Sequence, residues 1–253
     1  MIIYKFFYMY PSTAARRNTK LDYASCSEKG AGMENMSLAD IAYRKIKAAI
    51  LKHEIVPGER LSHDELVLRL KISQTPIREA LSRLVQEGYV TQVTNRGYRV
   101  SEMTAEEVVE LFDLRQTLEA HCLDGAIQNM TPDGIAELER SVKSSRKSIA
   151  KNAALVDRYI INKDFHLTLA QIAGNSAVFR VLEDVCEKLV LKRRIEGVSH
   201  GGFSVLRHHR DILRAIKARD TNQAQDLMKA HLDEIKFTLL RQIAVRKRAA
   251  QAR

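Results

Sequence analysis

The stretch Ser73-Gln-Thr-Pro-Ile-Arg-Glu-Ala-Leu-Ser-Arg-Leu-Val-Gln-Glu-Gly88 constrains this chain more than any other, because it reads as one helix with an apolar side and a basic, polar side. Ile77, Ala80, Leu81, Leu84 and Val85 recur at three- and four-residue spacing, so that side must pack inward. Pro76 suits the first helical position, where a missing N–H costs nothing, and Thr75 before it suits the N-cap. Gln74, Thr75, Arg78 and Arg83 are left on the open side or at the N-terminal end, where side chains can meet a polyanion. A second helix candidate, Ser62 to Leu70, stops just before Lys71-Ile72-Ser73, a connection short enough for a helix-turn-helix. The pattern implies a module that reads DNA.

The flanking segments agree. Upstream, Leu38 to Lys52 carries a helical stripe of Leu38, Ile41, Ile46, Ala49 and Ile50, closed by the turn Val56-Pro-Gly58. Downstream, Tyr89-Val-Thr-Gln-Val93 and Tyr98-Arg-Val-Ser101 are β-prone and flank Thr94-Asn-Arg-Gly97, a hairpin signal. Three helices followed by a two-stranded wing make a winged helix-turn-helix, expected over residues 37–102. This region resembles the GntR family of bacterial repressors in Ala49-Ile50-Leu51, Pro57-Gly58-Glu59-Arg60-Leu61, Ser73-Gln-Thr-Pro-Ile-Arg-Glu-Ala-Leu81, Leu84, Glu87-Gly88, Val90 and Asn95-Arg-Gly97. The resemblance runs over residues 38–101 without a gap, and the Thr-Pro-x-Arg-Glu-Ala-Leu run is its most specific part.

Composition sets wider bounds. A chain of 253 residues with 45% hydrophobic content has room for one or two real cores. Its net charge of +10 favours a polyanionic partner without locating one. Residues 38–101 hold eleven Lys/Arg against seven Asp/Glu, whereas Arg241 to Arg253 carry five basic residues and no acidic one. That C-terminal run reads first as a solvated helix end, cations being favourable there, and 246–253 as a basic tail. Cys26, Cys122 and Cys186 form no CxxC pair and suit buried thiols in a reducing cytoplasm. The opening Met1 to Tyr10 is apolar but interrupted by Lys5 and ended by Pro11, too short to span a bilayer. Residues 1–36 lack a helical stripe and are expected to be a disordered leader; a start at Met33 or Met36 would give a more ordinary chain.

From Thr104 onward helical periodicity takes over, and no strand pattern appears. Thr104-Ala-Glu-Glu107 is a capping-box pattern opening a helix with Val108, Leu111, Phe112, Leu114 and Leu118 inward, and Leu123 next in the series. Thr131-Pro132 restarts a helix toward Ala150, another runs from about Ala153 to Ala173, and Gly174-Asn175 turns the chain into Ser176 to Arg194. Gly197 to Gly202 reads as a loop, then Ser204 to Ala218 as a helix, and Asp220 with Gln223 caps a last helix running past Leu240. The fold class is therefore mainly α: the winged helix followed by an all-α bundle of about six elements over 103–245.

Within that bundle Asn162 and His166 lie four apart and face one way, while His209 and His231 belong to two later helices. Three imidazoles and an amide oxygen from three helices can enclose one divalent ion; equally, each histidine can be an ordinary core or surface residue, as adjacent His208 illustrates. Residues 104–240 resemble the FCD ligand-binding domain of the FadR-type branch of GntR regulators, in Phe112-Asp-Leu-Arg-Gln-Thr-Leu-Glu119, Asp164-Phe-His166, Ala173-Gly-Asn175, His209-Arg-Asp-Ile-Leu213 and Ala230-His-Leu232. The resemblance implies a metal (zinc, nickel or manganese) held by Asn162, His166, His209 and His231, and no organic cofactor. Asn162 stands where Asp is usual, and an amide oxygen is the weaker donor; Asp164, two residues from His166, points off the shared face. The resemblance also implies that Arg115 faces a small organic acid, against the plainer reading of an i,i+4 salt bridge to Glu119. Tyr159 is either a hydroxyl for the same pocket or a packed aromatic.

For DNA, Arg78 is the candidate base reader, since a guanidinium fork can grip guanine O6 and N7 together. Arg83 is a phosphate contact or a surface ion pair, and Gln74 replaces the Arg of many relatives, which suits adenine. Arg96 and Gly97 at the wing tip are candidates for the minor groove or its phosphates, or simply a solvent-exposed turn. A homodimer would need a pseudo-palindromic operator in double-stranded DNA. The expected protein is a transcription regulator and repressor, with no membrane partner and no enzymatic activity. Three rivals differ: a metalloenzyme on the three histidines, which lacks a general base and any HExxH motif; an architectural binder without sequence preference; and an activator or a regulator with a non-acid effector.

Overall fold

The computed structural model describes residues 36–94, 97–151, 153–193 and 203–251. The expected leader up to residue 35, Cys26, Arg96 and the loop Gly197 to Gly202 lie outside them. α1 (Leu38–Leu51) starts where Ser37 Oγ accepts from the Asp40 amide, and it buries Ala42, Tyr43, Ile46, Ala49 and Ile50. Leu38, first in the expected stripe, is 54% exposed. α2 (His63–Leu70) begins at the Ser62 cap and stops at Lys71 in the left-handed conformation. α3 (Gln74–Gln86) starts two residues earlier than Thr75 and Pro76 suggest, with Ser73 in the N-cap position and making no side-chain cap bond. Both residues then sit in the first turn, whose amides have no intrahelical acceptor, so the missing Pro76 donor is still harmless. Ile77, Ala80, Leu81 and Leu84 face inward and are almost wholly buried.

The wing has three strands, not two. β2 (Val90–Val93) and β3 (Gly97–Val100) form the expected antiparallel hairpin, with Val93 opposite Gly97. β1 (Arg60–Leu61) adds to the other edge of β3, Leu61 pairing with Tyr98, to give the order β1-β3-β2. Gly58, at φ +84, turns the chain so that its amide reaches Val100 O at 2.9 Å while Glu59 O accepts from the Val100 amide. Two residues are too few to show an alternating pattern, which is why the sequence hides this strand.

Six further helices follow among the described residues. α4 (Ala105–Gln128) opens where Thr104 Oγ1 accepts from the Glu107 amide, and α5 (Pro132–Ala150) where Thr131 caps Gly134. α6 (Leu155–Ala173) ends at left-handed Gly174, and Asn175 Oδ1 caps α7 (Ser176–Leu191). α8 (Phe203–Lys217) leads to Asp220, whose side chain caps α9 (Thr221–Gln251) at Gln223. α9 carries on through the basic residues after Arg241 without a break. The shared core is built from Phe112, Leu123, Leu138, Phe165, Leu169, Ile212 and Leu232. One expected inward residue is wrong: Leu114 is 41% exposed, and Arg115 and Glu119 take the buried positions, at 4% and 0%. The 3.6-residue period runs 108, 112, 115, 119, so charged residues sit on the core face and must be satisfied there.

The winged helix is docked on the bundle through α7. Lys47 of α1 pairs with Glu187 at 2.7 Å, Tyr89 OH donates to Asp184 at 3.2 Å, and the His53 ring lies 3.2 Å from Val190 O. The Met103 amide bonds Lys192 O at 3.0 Å. Among the described residues, no helix is long and apolar enough to cross a membrane. Leu84→Ala, in the core of α3 at 0% exposure, is expected to cost about 2–5 kcal/mol in urea unfolding. Leu68→Ala, at 77% exposure on α2, should stay within about 0.5 kcal/mol of wild type in the same measurement.

Candidate functional site

Two sets of side chains carry chemistry. On α3, Gln74, Thr75 and Arg78 are exposed along the N-terminal half of the helix, and Arg78 engages no acid among the described residues. Arg83 is held differently. Its Nη1 lies 2.9 Å from Asp40, its Nε lies 3.7 Å from Glu87, and its guanidinium stacks 4.0 Å above the Tyr43 ring. These contacts tie α3 to α1, so Arg83 is occupied within the fold. Gly97 begins β3 at φ +81, in the left-handed region where a side chain would be strained, and it is exposed.

The second set is buried. His166 of α6, His209 of α8 and His231 of α9 are each at 0% exposure, and His231 Nε2 lies 3.2 Å from His166 Nε2 and 3.3 Å from His209 Nε2. Burial, reinforced by the neighbouring imidazoles, holds His209 and His231 well below the usual histidine range. Burial also lowers His166, against the pull of Glu119, so the environment favours the neutral form of all three rings. His166 Nδ1 therefore donates to Glu119 at 2.6 Å as a hydrogen bond, which fixes the tautomer and turns a bare Nε2 toward the cluster. Phe165 stacks on His209 at 4.0 Å and holds that ring in place.

Glu119 is shared. Its other oxygen accepts from Arg115 Nε at 2.5 Å, so the i,i+4 pair legible in the sequence extends to a histidine 47 residues on. Burial works against the Glu119 charge, yet Arg115 and His166 together hold its carboxyl below the usual range. Burial likewise opposes the Arg115 charge, and Glu119 overcomes it. Arg115 still has Nη2 buried with no partner.

That guanidinium lines a small cavity, about 40 Å³, with Tyr159, Asn162, Lys163 and Arg193 beside apolar residues such as Phe112 and Leu189. Asn162 Oδ1 is buried there without a hydrogen bond, one helical turn before His166. The histidines are not in this wall; Asn162 and the Arg115–Glu119–His166 chain connect the two places. The donor set suits a divalent metal. A tetrahedral ion at about 2.0–2.1 Å from each nitrogen separates its ligands by about 3.3–3.4 Å; the two pairs made by His231 are at 3.2 and 3.3 Å, and the three ligand atoms lie within 4.8 Å of one another. His208, adjacent to the cluster, reaches His231 Nδ1 only at 3.4 Å and is also near Glu234. The sequence missed Arg193, which no spacing connects to Arg115, and the second role of Glu119.

The arrangement has known relatives. Residues 38–100 match the family model described as bacterial regulatory proteins, gntR family, and residues 110–234 match the FCD domain. The chain is 30% identical over 199 residues to the HTH-type transcriptional repressor GlaR of Escherichia coli strain K12, covering 75% of this chain and 90% of that protein. It is 28% identical over 200 residues to the HTH-type transcriptional repressor RspR of the same strain, covering 76% and 85%. Among solved structures, a putative GntR transcriptional regulator from Rhodococcus sp. RHA1 shares the fold at a TM-score of 0.70, with 23% identity over 81% of this chain and 98% of that one. Family and relatives are transcriptional regulators, not enzymes.

Glu119→Gln removes the only carboxylate that faces both Arg115 and His166 among the described residues. Leaving that guanidinium uncompensated should cost about 3–5 kcal/mol, read as a lowered urea midpoint. A loss below about 1 kcal/mol would mean that the network does not organise the core.

Proposed function

This chain belongs to the gntR family of bacterial regulatory proteins, with an FCD domain behind its winged helix, and from that premise we propose a repressor released from DNA by a small organic acid. DNA binding and transcriptional regulation follow from the family. Repression is supported by the names of the two relatives in Escherichia coli, both repressors. The observation that carries the effector reading is the cavity: buried guanidinium groups line it, Arg115 has a donor to spare, and α7, which forms part of its wall, also docks the winged helix.

Arg78 is the base reader of this proposal, with Gln74 and Thr75 ahead of it on the same exposed edge and the Gly97 wing tip at the backbone. Two copies forming a homodimer would present two α3 helices one DNA turn apart, matching a pseudo-palindromic operator. His166, His209 and His231 would hold a divalent ion such as zinc, nickel or manganese, with Asn162 as a neutral fourth donor. When bound, such an ion supplies positive charge to an acid's carboxylate. Arg115 would clamp the acid and Tyr159 would offer a hydroxyl beside it.

Gel shifts against the upstream region of the gene test the reading. Arg78→Ala should lose about 1–3 kcal/mol of discrimination between that DNA and random sequence, roughly 5- to 150-fold. Organic acids should weaken wild-type binding; operator affinity indifferent to every acid tried would remove the effector reading. Elemental analysis tests the metal separately. Wild type should carry one ion per chain and His209→Ala none. If both carry none, and added zinc, nickel or manganese leaves melting unchanged, the protein works without a metal.

A further inference from the structure

Arg193 follows α7 and is 8% exposed, in the wall of the same cavity as Arg115. Its surroundings are unusual for a buried cation. Nη2 donates to the Gln242 amide at 3.2 Å, the guanidinium lies 4.2 Å above the Tyr159 ring, and Nε is buried with no partner. The nearby charge is Arg246, which repels it. Arg115, by contrast, has Glu119. Arg115, Lys163 and Arg193 thus put three cations into one wall that holds no carboxylate among the described residues, Asn162 supplying a neutral side chain. A guanidinium buried without a counter-charge is costly to keep unless something anionic arrives to meet it.

We propose that this cavity selects short dicarboxylates, one carboxylate meeting Arg115 and the other meeting Arg193. The inference rests on reading the cavity as the effector site, and it adds the ligand's charge and the residue that reads it. Both guanidinium groups offer buried donors without partners, Nη2 on Arg115 and Nε on Arg193, so each has a hydrogen bond to give. The cavity of about 40 Å³ holds roughly three waters. Carboxylate oxygens would take over such positions beside the two guanidinium groups, and so small a volume favours the shortest diacids. A single carboxylate satisfies Arg115 and leaves Arg193 as it was. Tyr159, packed beneath Arg193, holds the fork in place and so limits the entropy lost on binding.

Calorimetry on the full chain with malonate and succinate, and with propionate and butyrate as singly charged acids of matching length, tests this. Wild type should bind the diacids roughly 10- to 100-fold tighter than the monoacids, the worth of one more charged hydrogen-bonded contact. Arg193→Gln should abolish that preference by weakening diacid binding far more than monoacid binding, whereas Arg115→Gln should weaken both classes. Arg193→Lys keeps the charge without the fork, should keep a reduced preference, and serves as the test if the Gln variant does not fold. Equal binding of diacids and monoacids by wild type, no diacid binding, or an Arg193→Gln protein with undiminished preference would overturn the proposal. Selective diacid binding that leaves operator affinity unchanged would remove the effector reading and keep the site. Release of DNA by monoacids alone would do the reverse.

Discussion

The helical domain depends on the carboxylate of Glu119, which is fully buried and satisfied at both oxygens. An isolated ion of this kind in an apolar core would be untenable; here Arg115 supplies the counter-charge along α4 and His166 reaches across from α6. The same contact that stabilises the charge also orients the His166 ring, and with it the nitrogen turned toward His231. One ionised group therefore links the packing of α4 against α6 to the geometry of a cluster drawn from α6, α8 and α9. A hydrophobic isostere could fill the same space. It could not fix which imidazole nitrogen faces inward.

Much of this was written plainly in the chain, and the reasons for the rest are physical. Caps announce themselves locally: Ser37, Ser62, Thr104, Thr131, Asn175 and Asp220 each accept from an amide two or three residues on. The apolar stripes of α1 and α3 hold except toward helix ends, where Leu38 is exposed and Val85 only half-buried. Spacing puts Asn162 and His166 on one helix face, while His209 and His231 come from two other helices, and the family resemblance made the histidines a set. What spacing cannot give is pairing between distant segments. β1 is two residues long and exists because β3 offers an edge; Leu114 faces out because Arg115 and Glu119 satisfy one another inside; Arg193 joins Arg115 across 78 positions of sequence only through the packing of α7 against α4. A periodicity argument treats charged residues as outward-facing, and it fails wherever two of them meet in the core.

α7 has two occupied sides, and this gives the proposed regulation a physical route. Asp184 and Glu187 hold Tyr89 and Lys47 of the winged helix, while Cys186, Leu189 and Val190 form part of the cavity wall, with Arg193 just beyond the helix end. Val190 serves both, lining the cavity while its carbonyl oxygen lies beside His53. A helix is stiff along its axis, so a ligand that draws Arg193 and the last turn of α7 inward cannot leave Glu187, less than two turns back, where it was.

The magnitudes are compatible with a switch. Allosteric couplings typically amount to about 1–3 kcal/mol, or 5- to 150-fold in affinity. Exchanging one or two hydrogen bonds where the winged helix meets α7 is worth about 0.5–1.5 kcal/mol each, so loosening the Lys47–Glu187 and Tyr89–Asp184 contacts covers that range without any large rearrangement. Linkage then requires the reverse effect, that operator DNA weakens acid binding by the same factor as the acid weakens DNA binding. The contact is also placed to set the aim of α3. Lys47 lies under the Tyr89 ring, and Tyr43, one turn before it on α1, bonds Glu87 at the end of α3 and carries Arg83 on its ring face. A change in how α1 sits on α7 therefore moves the helix that carries Arg78, and in a dimer reading two half-sites a small change in that aim is felt twice.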